Sequence, residues 1–169
     1  MIFARLVLSM AMLLTPCLGA DEVFNVCEIL AHLQDFSCRP VHVKARLASS
    51  VDTWLTGENC SKPIKVKTVV FQDLIALEWP SSRLVGCYVD FKDDEKSIRE
   101  LQDVLGNYKP GRQRIDIIVD GVVETRHPPY GLVGNEGQQI GFGHLGGAPA
   151  QIIVKRVISL KVTPVKASE

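Results

Sequence analysis

The residues best placed to do chemistry are three basic side chains in a row. His42, Lys44 and Arg46 alternate with Val41, Val43, Ala45 and Leu47, the period-two pattern of a half-buried strand, so the basic groups leave the same face. Lys65 and Lys67 repeat the spacing, and Trp54 offers a ring that could stack nearby. Cations beside an aromatic suit an anionic or ring-bearing ligand. The competing account is a solvated sheet face balanced by carboxylates on neighbouring strands. Near-neutrality favours that account: 19 Lys and Arg face 19 Asp and Glu, for a formal charge of zero. A chain without a global basic field lacks the footprint of a dedicated nucleic-acid binder, so nucleic acid is the less favoured ligand class.

Other candidate groups carry less. Gly141-Phe-Gly143-His-Leu-Gly146 spells G-x-G-x-x-G, but a dinucleotide site needs that run to leave a strand, open a helix and meet an acidic residue about twenty positions on. Here Pro149 and the β-rich run from Ile152 follow, and no acid lies between Gly141 and Ser168. No cofactor is expected, and the glycines read as a loop that approaches the last strand closely. His144, between those glycines, is expected to order the loop and is kept as a candidate ligand contact. The four histidines, His32, His42, His127 and His144, show no ligand spacing, whereas catalytic zinc needs about three protein ligands, so no metal site is expected. No G-x-S-x-G occurs. Asp90, Asp93, Asp94, Asp116 and Asp120 fall at a helix start or on an outer strand face, where capping and solvation account for them. A hydrolase using paired acids in an irregular site is the alternative from the enzyme class.

The cysteines depend on where the chain ends up. Met1 to Arg5 is a short basic start, Leu6 to Leu14 an apolar run, and Cys17 to Ala20 a small-residue end before Asp21-Glu22. This is the three-part pattern of a secretory signal peptide, and the apolar run is too short for the ~20 residues that span a bilayer. Residues 1–20 are therefore read as a signal peptide and 21–169 as a single domain, with no transmembrane segment after its removal. Leu14-Thr15-Pro16-Cys17 loosely resembles a lipid-anchor motif, although Pro16 fits it poorly. Cleavage removes Arg5 and no acid, which leaves one net negative charge. The protein is expected to be periplasmic or secreted, with an unidentified envelope or extracellular partner. Cys27, Cys38, Cys60 and Cys87 remain, an even count without C-x-x-C spacing, which argues for two structural bridges. Three pairings are open. The preferred one joins Cys27 to Cys60 and Cys38 to Cys87, tying the first helix and first strand to later loops.

These groups need elements to hold them. Val26, Ile29, Leu30 and Leu33 make a helical stripe behind Asn25 as N-cap and Glu28 as its capping-box partner. Strands are expected over Val41–Leu47, Asp52–Thr56 and Val66–Glu78, the last broken near Gln72-Asp73. Asp93 to Leu105 is the best helix, with Ile98, Leu101 and Leu105 on one face and a stop at Gly106-Asn107. Gln113–Thr125 is a long strand with Gly121 as a bulge that resets its phase. Gln151–Pro164 is the last strand. Five strands with a helix between the third and fourth match the mainly β, Greek-key oligonucleotide/oligosaccharide-binding (OB) barrel, here with an N-terminal helix.

Val26-Cys-Glu-Ile-Leu-Ala-His32 and Phe36-Ser-Cys-Arg-Pro-Val-His-Val-Lys-Ala-Arg-Leu47 resemble the opening of small exported bacterial proteins of the OB-fold type. Trp54-Leu-Thr-Gly-Glu-Asn-Cys60 and Gly141-Phe-Gly-His-Leu-Gly-Gly-Ala-Pro-Ala-Gln151 look like later stations of that group. The resemblance spans most of residues 21–169. It implies a barrel and export, and it brings no catalytic residue. Cys38 and Ala45 stand where the group has glycine, so the first turn and the curvature of the first barrel strand are expected to differ. The expected function is a non-catalytic exported binding module of unknown ligand, with His42, Lys44, Arg46, Trp54, Lys65, Lys67 and His144 as candidate contacts. A structural envelope protein without a small ligand is the alternative.

Overall fold

The computed structural model describes residues 22–49, 52–58, 60, 64–66, 69–80, 92–125, 141–143 and 146–165. Alternation builds the barrel. β2 (Arg39–Ser49) buries Val41, Val43, Ala45 and Leu47 and turns His42, Lys44 and Arg46 outward. Along one edge it pairs antiparallel with β7 (Gln113–Thr125), from Arg39 opposite Val123 to Leu47 opposite Ile115. Its other edge is shared. β1 (Val23–Asn25) runs parallel to its first half, and β3 (Thr53–Thr56) runs antiparallel to its second.

The hairpin β4 (Ile64–Val66) and β5 (Val69–Phe71) stands apart as a two-stranded sheet. β6 (Leu74–Glu78) pairs with β3 and, in parallel, with β8 (Ala150–Pro164), which pairs along its length with β7. The ring β2-β3-β6-β8-β7 closes through the β2–β7 pairing. This is a closed five-stranded barrel of the OB type, as the strand count and helix position predict.

The interior is filled by every second side chain. Leu55, Ile75, Leu77, Ile115, Ile117, Val119, Val123, Ile152 and Val154 join the β2 residues in one apolar cluster. Each such side chain contributes roughly 1.5–3 kcal/mol when fully removed from water. α1 (Val26–Ala31) begins at the expected capping box: Asn25 Oδ1 accepts from Glu28 N at 3.0 Å, and Glu28 Oε2 accepts from Asn25 N at 2.7 Å. The predicted Val26–Leu33 helix breaks at His32 and resumes as α2 (Leu33–Phe36). Both press apolar residues, Ile29 and Phe36 among them, onto the barrel.

α3 (Glu95–Gly106) starts at Asp94, whose carboxylate accepts from the backbone of Lys96 and Ser97. Ile98 and Leu101 are its buried residues. Its start is tied to β8 by Asp94 N donating to Lys155 O at 2.8 Å and Val157 N donating to Ser97 Oγ at 3.0 Å.

Three features depart from the linear reading. β1 is a three-residue strand placed before the first helix, too short to show a period. The run expected as one strand over Val66–Glu78 holds only the last residue of β4, then β5 and β6; the break at Gln72-Asp73 falls where it is predicted, and the one between β4 and β5 is not predicted. The β7–β8 register shifts between Ile118 and Val119 and between Asp120 and Gly121, but the unpaired residues are Ile158 and Lys155 of β8. β7 keeps an unbroken register with β2 and turns Ile115, Ile117, Val119 and Val123 into the core. The expected bulge and change of phase at Gly121 therefore do not occur, and the irregularity belongs to the partner strand. Val122, on the outward side of β7, is buried as well, outside the main core cluster. Among the described residues no helix is long and apolar enough to cross a membrane.

Candidate functional site

A groove of about 900 Å³ lies on the outer barrel face where β1 leaves β2 and the β3–β4 loop begins. Its charged lining comes from Lys44 and Arg46 on β2, Arg114 and Asp116 on β7, Glu58 after β3, and Glu28 on α1. Strand geometry explains the meeting. Arg46 is the cross-strand partner of Asp116 on one side and of Thr56 on the other, so these side chains share the outward face. Arg114, two residues before Asp116, shares it too.

The disulfide sets the position of Glu58. Cys27 on α1 is bonded to Cys60 across 33 residues, the preferred pairing. Gly57 lies against it: a Cβ there would stand 2.5 Å from Cys60 Sγ and 2.8 Å from Cys27 Sγ. Only glycine lets the chain pass that close to the bridge, and the next residue is Glu58. Cys38 is also disulfide-bonded; its expected partner Cys87 lies outside the described residues. Cys38 has φ +58°, the left-handed region where a side chain is disfavoured.

Ion pairing organises the groove. Arg46 Nη2 contacts Glu58 Oε1 directly, and Arg114 Nη2 approaches the same oxygen at 3.8 Å. Asp116 holds Arg114 more closely, accepting from Nε at 2.9 and 3.0 Å and lying 2.8 Å from Nη2. That hydrogen bond raises the Arg114 pKa above its ordinary value; desolvation opposes the rise, and the Asp116 and Glu58 charges add to it. The guanidinium is cationic at every accessible pH. Arg46 Nε is buried and has no hydrogen-bond partner among the described residues. Lys44 is exposed and makes no ion pair among the described residues. Glu28 is spent on the α1 capping box.

The other sequence candidates fall elsewhere. His42 stands outside the groove with Nε2 3.8 Å from Asp120 Oδ1, and Asp120 also meets Arg156 Nη2 at 3.3 Å. Asp120 is the one buried carboxylate among the described residues. Trp54 leaves the same face of β3 as Thr56, but its ring is covered. A Cβ on Gly143 would lie 2.2 Å from Trp54 Cη2, and Gly143 has φ +71°. Phe142 pairs with Ala148 in a β-bridge, and both pack with Ala76, Leu74 and Trp54 in a second apolar cluster. The glycine run therefore closes onto the outside of β3 and β6 rather than simply leading into the last strand.

Lys65 sits on β4, outside the barrel ring, and its side chain is not among those described; Lys67 and His144 lie outside the described residues. Of the predicted contacts, the groove unites Lys44 and Arg46. Glu58, Arg114, Asp116 and Glu28 join them without having been singled out as ligand contacts. Alternation already puts Arg114 and Asp116 outward, yet nothing local pairs β7 with β2. No group of three His, Cys, Asp or Glu side chains suited to a metal occurs among the described residues. No family model, no curated protein and no solved structure matches the chain.

Proposed function

We propose that this chain is an exported, non-catalytic binding module that takes its ligand, or a segment of an envelope or extracellular partner, in the groove between β1, β2 and the Glu58 loop. The observation that carries this reading is a cavity of about 900 Å³ into which Lys44, Arg46 and Arg114 all face. That volume lies within the range of small-molecule sites, roughly 300–1,000 Å³, where a few placed polar groups fix orientation. The Cys27–Cys60 bridge supports export, because such bonds persist in oxidising compartments, and the signal-like residues 1–20 agree with it.

Amide chemical shifts of the oxidised protein test the reading, with an acidic tetrapeptide, a chitin-type oligosaccharide and a short oligothymidylate as probes. Binding at the groove moves Lys44, Thr56, Gly57 and Arg114 together. Probes that leave these amides still, or move only distant ones, overturn it. A second reading, a structural envelope protein without a small ligand, draws on one observation: the outward cations Arg46, Arg114 and Arg156 are each met by a carboxylate of the same chain.

A further inference from the structure

We infer that the groove is an oxyanion site occupied in the free protein by Glu58, whose carboxylate stands where a ligand's carboxylate or phosphate group binds. The inference rests on reading the groove as a ligand site. Arg46 and Arg114 come from adjacent strands, and their Nη2 atoms converge on one oxygen, Glu58 Oε1. Guanidinium forks match two-oxygen anions edge to edge. Here the match is incomplete: Glu58 engages Nη2 of Arg46, while the buried Nε beside it has no partner among the described residues. A ligand oxyanion that replaces Glu58 takes Nε and Nη2 of Arg46 together.

Glu58 is also the acid best able to leave. It is 56% exposed and belongs to a loop. Asp116 is fixed in mid-strand by its hydrogen bonds to Arg114, and Glu28 is held by the helix cap. Exposed ion pairs hold their partners weakly, so an anion making more contacts displaces Glu58. Once it swings out, Lys44, Arg46 and Arg114 face Asp116 and the committed Glu28, and the groove becomes a net acceptor of negative charge.

The test titrates the full oxidised protein with inorganic phosphate and, separately, with succinate, at ionic strength held constant with sodium chloride. Wild type, Glu58→Gln, and Glu58→Gln combined with Arg46→Gln are compared by calorimetry and amide shifts. Removing the internal competitor tightens binding roughly five-fold or more, and the added Arg46→Gln returns it to wild-type strength or below. Arg114→Gln in the Glu58→Gln background gives the same loss, which covers the case in which Arg46→Gln misfolds. Preference for phosphate or for succinate identifies the source of the oxyanion. Equal binding by wild type and Glu58→Gln overturns the inference, as does a gain that survives loss of either arginine, which marks an adventitious ion only. If the tetrapeptide or oligosaccharide still moves the groove amides while Glu58→Gln changes nothing, the oxyanion inference fails and the binding-module reading stands.

Discussion

Thr56 and Trp54 are two residues apart on β3 and leave the same face of the sheet, yet they end in opposite surroundings. Thr56 lines the charged groove, its Oγ1 donating to Arg46 O at 3.1 Å. Trp54 lies beneath Gly143, beside Leu74, Ala76, Phe142 and Ala148. The strand is a common platform, and the segments that cross it decide which half stays open. OB barrels commonly bind oligomers on their second and third strands, with the flanking loops. In this chain those strands are β3 and β6, and the covered half is theirs. The open half lies toward β1, β2 and β7, and the charged groove is on that side. A shared barrel does not fix where a ligand sits.

Three changes separate the halves, the largest effect first. Replacing Cys27 and Cys60 together by alanine lowers stability by about 2–4 kcal/mol and frees Glu58 from its place over Arg46. Urea unfolding measures the first effect and groove amide shifts the second, while the environment of Trp54 is unchanged. Gly143→Val acts on the other half. It adds a branched side chain at positive φ against the Trp54 ring and costs about 2–3 kcal/mol. In a Trp79→Phe background it raises acrylamide quenching of the remaining tryptophan and leaves the groove amides in place. If either substitution disturbs both halves equally, the two faces are one unit and the contrast fails. The smallest effect belongs to Glu58→Gln, which changes stability by less than about 1 kcal/mol because the pair it breaks is exposed. A much larger loss would make Glu58 a structural strut rather than a displaceable group.

How far these halves could be read in advance follows from the range of each interaction. Period two alone placed Lys44 and Arg46 outward on β2 and Arg114 and Asp116 outward on β7, because every second residue faces the core. The Asn25–Glu28 cap is equally local, whereas the bulges belong to β8, where no glycine marks them, and not to Gly121. Glu58 was not legible: it enters the groove through a bridge to Cys27 and through a glycine whose need is the bulk of two sulfurs. Nor was the covering of Trp54, since the residues that cover it come nearly ninety positions later, as numbering shows. β1 escaped for another reason. Three residues cannot display alternation, and a parallel partner has no hairpin turn to announce it. Cys38 went against expectation. The first turn was expected to differ because a cysteine stands there, yet Cys38 adopts the left-handed φ that favours glycine.

The pairing of β2 with β7 has a consequence for the order in which this molecule can be assembled. Arg39 meets Val123, so a chain made from its N-terminus must extend well past its midpoint before the ring can shut, and contacts that distant are slow to form. The link between residues 27 and 60 requires only the first third. That early loop can be stapled while β2 still waits for its last neighbour, which would tie α1 to the Glu58 loop before there is a barrel to carry them.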